Sequence, residues 1–268
     1  MSRIGKTGPV LWLFDLDGVV WLAGRAIPGS PEAVARLRGD GARVAFVTNN
    51  STPTVAEYVE RLGRAGVEVD PGELVTSSQA AASLIEPGSR VAVVGGEGVH
   101  EALRDRGAQL VGAHEGPEAV VVGRSLHLDF EELAAAARAI REGARFVATN
   151  TDATFPTPNG PEPGAGALVA YLQVGSGREP QVAGKPEQPM AELVRSRFGD
   201  PDIVVGDRPE TDGAFARRLG ARFALVLTGV TRREDPPPDP APDLVADNLA
   251  AVVADQMKEA GGGAGRLG

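Results

Sequence analysis

The sequence contains no cysteine. That excludes disulfides, thiolate metal sites and a cysteine nucleophile. Histidine is scarce as well. His100, His114 and His127 stand far apart with no paired ligand spacing, so they read as surface or loop residues rather than metal ligands. Basic charge is in deficit: 27 Lys and Arg face 36 Asp and Glu, for a net charge of -9. No stretch is basic enough to neutralise a phosphate backbone or an anionic bilayer, which argues against nucleic-acid and membrane partners. Long apolar runs are missing too. The aliphatic stretch around Trp12 is far too short to cross a bilayer, and no charged, apolar, small-residue signal precedes it. The chain reads as soluble and cytoplasmic.

What is present is a chain of 268 residues, 42% hydrophobic, long enough to bury a substantial core. Short apolar runs alternate with amphipathic stretches. The runs Val10–Phe14, Val44–Thr48, Val91–Val94, Ala119–Val122, Phe146–Ala148, Ile203–Val205 and Phe223–Leu227 predict strands. Ser30–Arg38, Thr54–Arg64, Phe130–Arg141, Glu187–Arg197 and Glu210–Leu219 predict helices. Strands that are apolar throughout, alternating with helices, indicate an α/β fold with a parallel sheet covered on both faces.

Four of these strands end in polar or glycine-rich turns: Asp15-Leu16-Asp17-Gly18, Thr48-Asn49-Asn50-Ser51, Gly206-Asp207 and Thr228-Gly229. One sheet with its functional edge at the carboxyl ends of the strands would collect them. The middle of the chain repeats the alternation with only one comparable polar end. The predicted organisation is therefore a Rossmann-like core over residues 1–82 and 179–268, with an inserted α/β cap domain over 83–178. Gly175-Ser176-Gly177-Arg178-Glu179-Pro180 serves as the return linker. The proline-rich segment Asp235–Pro242 predicts a surface loop, and the tail Gly261–Gly268 predicts disorder.

The chemistry concentrates in acids. Asp15 and Asp17 lie one residue apart at the end of an apolar strand, and Gly18 lets the chain bend there. Buried acids at a strand end are costly unless a cation or a reaction needs them. A second apolar strand ends in Gly206-Asp207, with Asp212 following near a helix start. If these four aspartates converge, the cluster requires a divalent cation, and hard oxygen ligands without histidine or cysteine suit Mg²⁺. Thr48-Asn49-Asn50-Ser51 offers a hydroxyl and loop amides to an anion. Lys185, between Gly184 and Pro186, offers a compact positive charge for a phosphate oxygen.

The order Asp-x-Asp-Gly, Thr-Asn-Asn, Gly-Lys-Pro, Gly-Asp-x-x-x-x-Asp resembles the four motifs of the haloacid dehalogenase superfamily of phosphohydrolases. The resemblance is nearer to the subfamily with an α/β cap between the second and third motifs, the NagD-like and glycerol-phosphate or phosphoglycolate phosphatase group. Gly18-Val19-Val20-Trp21, Val75-Thr76-Ser77-Ser78, Val121-Val122-Gly123, Thr149-Asn150-Thr151-Asp152, Pro163-Gly164-Ala165-Gly166 and Leu227-Thr228-Gly229-Val230-Thr231 carry it, from about Val10 to Asn248. Thr151, Ser125, Gly213 and Phe215 depart from the pattern, and none of them removes a catalytic group.

The resemblance implies that Asp15 is the nucleophile and Asp17 the general acid and base. Mg²⁺ would be held by Asp15, the backbone carbonyl of Asp17 and Asp207. Asp212 would act through a metal-bound water or by fixing Lys185. Thr48, the Asn49 backbone amide and Lys185 would hold the phosphoryl oxygens, and Asn150 and Asp152 are the cap's specificity candidates. The substrate implied is a small phosphorylated metabolite: glycerol phosphate, phosphoglycolate, a sugar phosphate or a nucleoside monophosphate. Transfer to an alcohol instead of water, and a binding protein without turnover, stay open as alternatives. So does a homodimer through an apolar cap surface.

Overall fold

The computed structural model describes residues 8–263. The chain forms two compact units, one from residues up to 46, 65–67 and 198 onward, the other from 47–64 and 68–197.

The first unit is organised on parallel strands in the order Leu244–Ala246, Arg222–Val226, Ile203–Gly206, Leu11–Phe14, Arg43–Thr48. Val47 and Thr48 at the end of the last strand open the second unit. The central strand, Leu-Trp-Leu-Phe, is buried at every residue, as expected of a parallel strand covered on both faces. Phe14 stacks at 6.0 Å from Trp12 and 5.9 Å from Phe46, ring centre to ring centre. Helix Ser30–Gly39 starts with proline in its first turn, carries Glu32 there and ends with Arg36 and Arg38, matching the helix dipole at both ends.

Register sets up the chemistry. Phe14 sits opposite Val205, so Asp15 comes level with Gly206, the residue before Asp207. The Asp15 N–H donates to the Val205 carbonyl at 2.9 Å. Both acids thus leave neighbouring parallel strands at the same edge, where open α/β sheets bind ligands.

The second unit holds its own parallel sheet, in the order Gln181–Val182, Arg145–Ala148, Ala119–Val122, Arg90–Val94, Gln109–Leu110. Helices Phe130–Glu142 and Ala165–Ser176 cover it. Val120, Val122, Ala136, Ile140, Val169 and Leu172 form part of its core. Asp129 caps the first of these helices by accepting the Glu131 N–H at 2.8 Å. An antiparallel hairpin, Thr154–Thr157 with Gly160–Pro163, precedes the second.

All seven predicted strands are present, each within one residue of its expected ends. Four of the five predicted helices match as closely. The fifth differs: Pro209–Gly213 forms a π-helical turn and only Ala214–Leu219 is α-helical. The Asp212 and Gly213 N–H groups both donate to the Arg208 carbonyl, which winds the turn wide and aims Asp212 backwards. Asp235–Pro242 is irregular and mostly exposed. Gly261–Gly263, expected to be disordered, close helix Leu249–Gly263. Residues 264–268 of that tail lie outside the described residues.

Residues 47–64, 68–82 and 179–197 group with 83–178 in the second unit. The hydrogen bonds converging on Asn49, described below, account for part of that grouping.

Candidate active site

Asp15, Asp207 and Asp212 each present a carboxylate oxygen within 4.8 Å of the others, and all three are buried. Three buried carboxylates at this spacing repel one another unless a cation or a proton lies among them. The donors are oxygen alone, which fits a hard divalent cation rather than a metal that seeks thiolate or imidazole. Among the described residues no histidine joins this group.

Local structure explains the convergence. Asp212 is fully buried, and its Oδ2 accepts the Asp207 N–H at 3.2 Å and the Arg208 N–H at 3.1 Å. The π turn therefore folds its acid back onto the strand end that carries Asp207. Gly206 is required there, because a Cβ would collide with the Asp212 side chain. Asp207 is held from the other side by the Val230 N–H, which donates to Oδ2 at 2.6 Å, while Thr231 Oγ donates to its carbonyl. Gly18 has φ +85° and approaches so closely that a Cβ would lie 2.6 Å from Asp207 Oδ2. Thr228 Oγ donates to the Gly18 carbonyl at 2.6 Å. The Thr228–Thr231 turn thus latches both acid loops. The sequence marks it as a polar strand end and as part of the family resemblance, without showing this latch.

Asp17 stands apart from the three-carboxylate group. It is half-buried, and its Oδ1 accepts the Trp21 indole N–H at 3.1 Å. Gly213 and Phe215, two departures from the family pattern, have a packing explanation. A Cβ at Gly213 would crowd Phe223 and Pro240, and Phe215 is fully buried.

The other predicted residues lie in the second unit, around Asn49. Its Oδ1 accepts the Lys185 N–H at 2.8 Å and its Nδ2 donates to the Lys185 carbonyl at 3.1 Å. The same Nδ2 reaches Asp152 Oδ1 and Oδ2 at 3.2 and 3.3 Å. The Asn49 carbonyl accepts from Ser77 Oγ and Asn150 Nδ2, each at 2.6 Å. Thr48 Oγ accepts the Asn50 N–H at 3.1 Å, which orients its hydroxyl to donate elsewhere. Thr48, Asn49, Asn150 and Lys185 are all buried.

Asn150 builds the turn: besides donating to Asn49, it accepts the Asp152 N–H at 3.1 Å. Its side chain is engaged with protein on both sides of the amide. Gly164 and Gly166 leave no room for a Cβ against the Asp152 and Thr151 carbonyls, so they let helix Ala165–Ser176 pack closely on this turn. Ser125 closes a local turn with His127. Nothing in the structure explains Thr151.

Comparison with known proteins places the chain. Residues 12–109 match the family described as haloacid dehalogenase-like hydrolase, and 182–252 match a second described as HAD-hydrolase-like. Chronophin of Homo sapiens is 39% identical over 247 residues, covering 83% of this chain and 82% of that protein. The p-nitrophenyl phosphatase of Archaeoglobus fulgidus superposes with a TM-score of 0.84 at 35% identity, covering 92% of this chain and 99% of that one. A glycerol phosphate phosphatase of Mycobacterium tuberculosis, solved in complex with magnesium, gives 0.82 at 34% identity, over 90% and 75%.

Proposed function

The chain belongs to the haloacid dehalogenase-like hydrolases, and from that premise we propose a Mg²⁺-dependent phosphatase that hydrolyses a small phosphomonoester through an aspartyl-phosphate. The observation that carries this reading is the buried group of Asp15, Asp207 and Asp212. Carboxylates packed this tightly fit a divalent cation, and a relative solved with magnesium supports Mg²⁺. Asp15 and Asp207 would hold it with the backbone carbonyl of Asp17. Asp212 would act from beside them, fixing the Asp207 loop through its two N–H contacts. When bound, the ion neutralises charge on the carboxylates and on a phosphoryl group.

Asp15 attacks phosphorus and takes the phosphoryl group, which divides one difficult displacement into two. Asp17 gives a proton to the departing alcohol and later takes one from the water that cleaves the intermediate. Thr48, the Asn49 backbone amide and Lys185 hold the phosphoryl oxygens. Residues 83–178 act as the cap that excludes competing water. Asp152 is the better supported of the two specificity candidates, since Asn150 is buried in its turn.

The relatives' names, which include a glycerol phosphate phosphatase, an acid sugar phosphatase and a phosphoglycolate phosphatase, support a small phosphorylated metabolite as substrate. The test is phosphate release from a panel of such esters, with Mg²⁺ and with chelator, for wild type and Asp15→Asn. Metal-dependent release that vanishes in the variant is the expected result. Release that survives either chelation or the substitution would defeat the proposal.

A further inference from the structure

We propose that Trp21 is the positioning residue for the acid–base work of Asp17, an inference that rests on the role of Asp17 given above. Trp21 is only 5% exposed, and three of its groups are tied to the loop that carries Asp17. Its backbone N–H donates to the Leu16 carbonyl at 3.2 Å, and its own carbonyl accepts the Gly18 N–H at 2.6 Å. Its indole Nε1–H donates to Asp17 Oδ1 at 3.1 Å. The residue thus brackets Asp17 on both sides along the backbone and holds its carboxyl from the side.

The mount itself is braced. Trp21 and Leu22 pair with Ala26 and Arg25 in a two-stranded hairpin, closed by Ala23 at φ 49° and Gly24 at φ 79°. Behind it the Val20 carbonyl accepts from Ile27, and the Val19 carbonyl accepts from the buried Ser30 hydroxyl. Little rotation is left to the indole.

The chemistry follows from the donor. An indole N–H donates and never accepts. Oδ1 is therefore an acceptor whether Asp17 is protonated or ionised, and the transferable proton is carried on Oδ2. As the P–O bond to the alcohol breaks, its electron pair goes to the ester oxygen and the Oδ2 proton passes to that oxygen. The alcohol leaves neutral and Asp17 is left as a carboxylate. Without the indole N–H the carboxyl loses this fixed orientation, and the proton is no longer presented from one oxygen.

The experiment compares two esters that differ in their need for that proton. p-Nitrophenolate departs readily without one; the alkoxide of glycerol 3-phosphate does not. kcat/KM reads the steps up to departure of the alcohol, so later cleavage of the aspartyl-phosphate does not enter it. For Trp21→Phe, which keeps an aromatic ring and deletes the N–H, kcat/KM on glycerol 3-phosphate is expected to fall about 10–100-fold, part of what general acid catalysis contributes. On p-nitrophenyl phosphate it should fall less than about threefold, and inhibition by inorganic phosphate should be unchanged.

Replacing Trp21 by benzothienylalanine, which keeps the bicyclic shape and exchanges N–H for sulfur, repeats the test without a packing defect. Equal losses on both esters, or no loss on either, with this isostere would overturn the inference. Asp17→Asn separates that failure from failure of the parent reading: it must show the same asymmetry more strongly. If Asp17→Asn is as active as wild type on both esters, or wild type cleaves neither, the role of Asp17 falls and that of Trp21 falls with it.

Discussion

Asn49 grips Lys185 by the backbone, accepting its N–H at 2.8 Å and donating to its carbonyl at 3.1 Å. A side-chain amide here does what a neighbouring strand would do, and it fixes where the lysine leaves the chain. The side chain of Asn49 therefore has a task separate from the one its backbone amide is proposed to perform.

Asn49→Ala should leave the buried Lys185 N–H without this acceptor and cost about 1–3 kcal/mol of stability. Its kinetic mark is a KM and an inorganic-phosphate inhibition constant that both rise about tenfold, the equivalent of about 1.4 kcal/mol. Asn49→Asp should be worse, because it sets a carboxylate against Asp152 and removes the donor to the Lys185 carbonyl. Urea unfolding and phosphate inhibition check both variants, and unchanged values for Asn49→Ala would show that the pairing is incidental.

Removing the metal should be visible in stability before it is visible in turnover. Mg²⁺ at about 100 times its dissociation constant should add about 2.7 kcal/mol to the wild type. In chelator the three buried carboxylates repel one another, so Asp15→Asn should melt higher than wild type there. It should also lose most of the Mg²⁺-induced shift. Thermal melts with and without chelator decide it; an equal Mg²⁺ response in the two proteins would mean the cluster is not where the ion binds.

Two substitutions at Asp212 should separate its two tasks. Asp212→Ala orphans the Asp207 and Arg208 N–H groups, costing about 1–3 kcal/mol for each. Asp212→Asn keeps an acceptor for them and should recover most of that loss. Neither variant should recover full Mg²⁺ affinity, which is expected to drop about 10–100-fold, as it does when residues supporting a metal site are changed. Calorimetric Mg²⁺ titration beside urea unfolding reads the two effects independently.

Gly18→Ala is the most local of the tests. The added methyl would meet Asp207 Oδ2 at 2.6 Å and Gly229 Cα at 2.9 Å, at a φ of +85°. Strain of this kind costs about 1–3 kcal/mol, and here relief requires an acid of the cluster to move. Activity should fall by at least about tenfold while the protein still folds, since a metal-supporting shell loses that much when disturbed. Crystallography of the variant should show Asp207 displaced.

What could be read in advance follows from the range over which each signal acts. Val10–Phe14 and Ile203–Val205 were legible because a covered parallel strand is apolar at every position. The acids after them were legible because nothing else excuses a carboxylate at such an end. Helix Ala165–Ser176 gave little warning, since it is apolar almost all round, and Trp21–Leu22 is too short to hold a pattern. The π turn at Pro209–Gly213 was hidden for another reason: its shape is fixed by Asp212 folding onto Asp207, a contact made only after the strand is in place. Trp21 stands in a motif that carries the resemblance, but its sequence neighbours do not reveal that its N–H meets Asp17. The side-chain partners of Asn150, namely Asn49, Thr149 and Asp152, were equally out of reach of a local reading.

Two stretches of main chain from distant parts of the sequence, at Gly18 and Gly229, both close on Asp207 Oδ2, and neither position has room for a side-chain carbon against it. The carboxylate is in effect a feeler gauge, and the clearance that those two joined loops leave it is cut to its size. An acid one methylene longer at this position would keep the charge and lose the fit, running into both loops. Drift at any of the three residues is therefore uncorrectable by the other two. The site's tolerance is set less by which groups it contains than by a spacing that a single carbon would spoil.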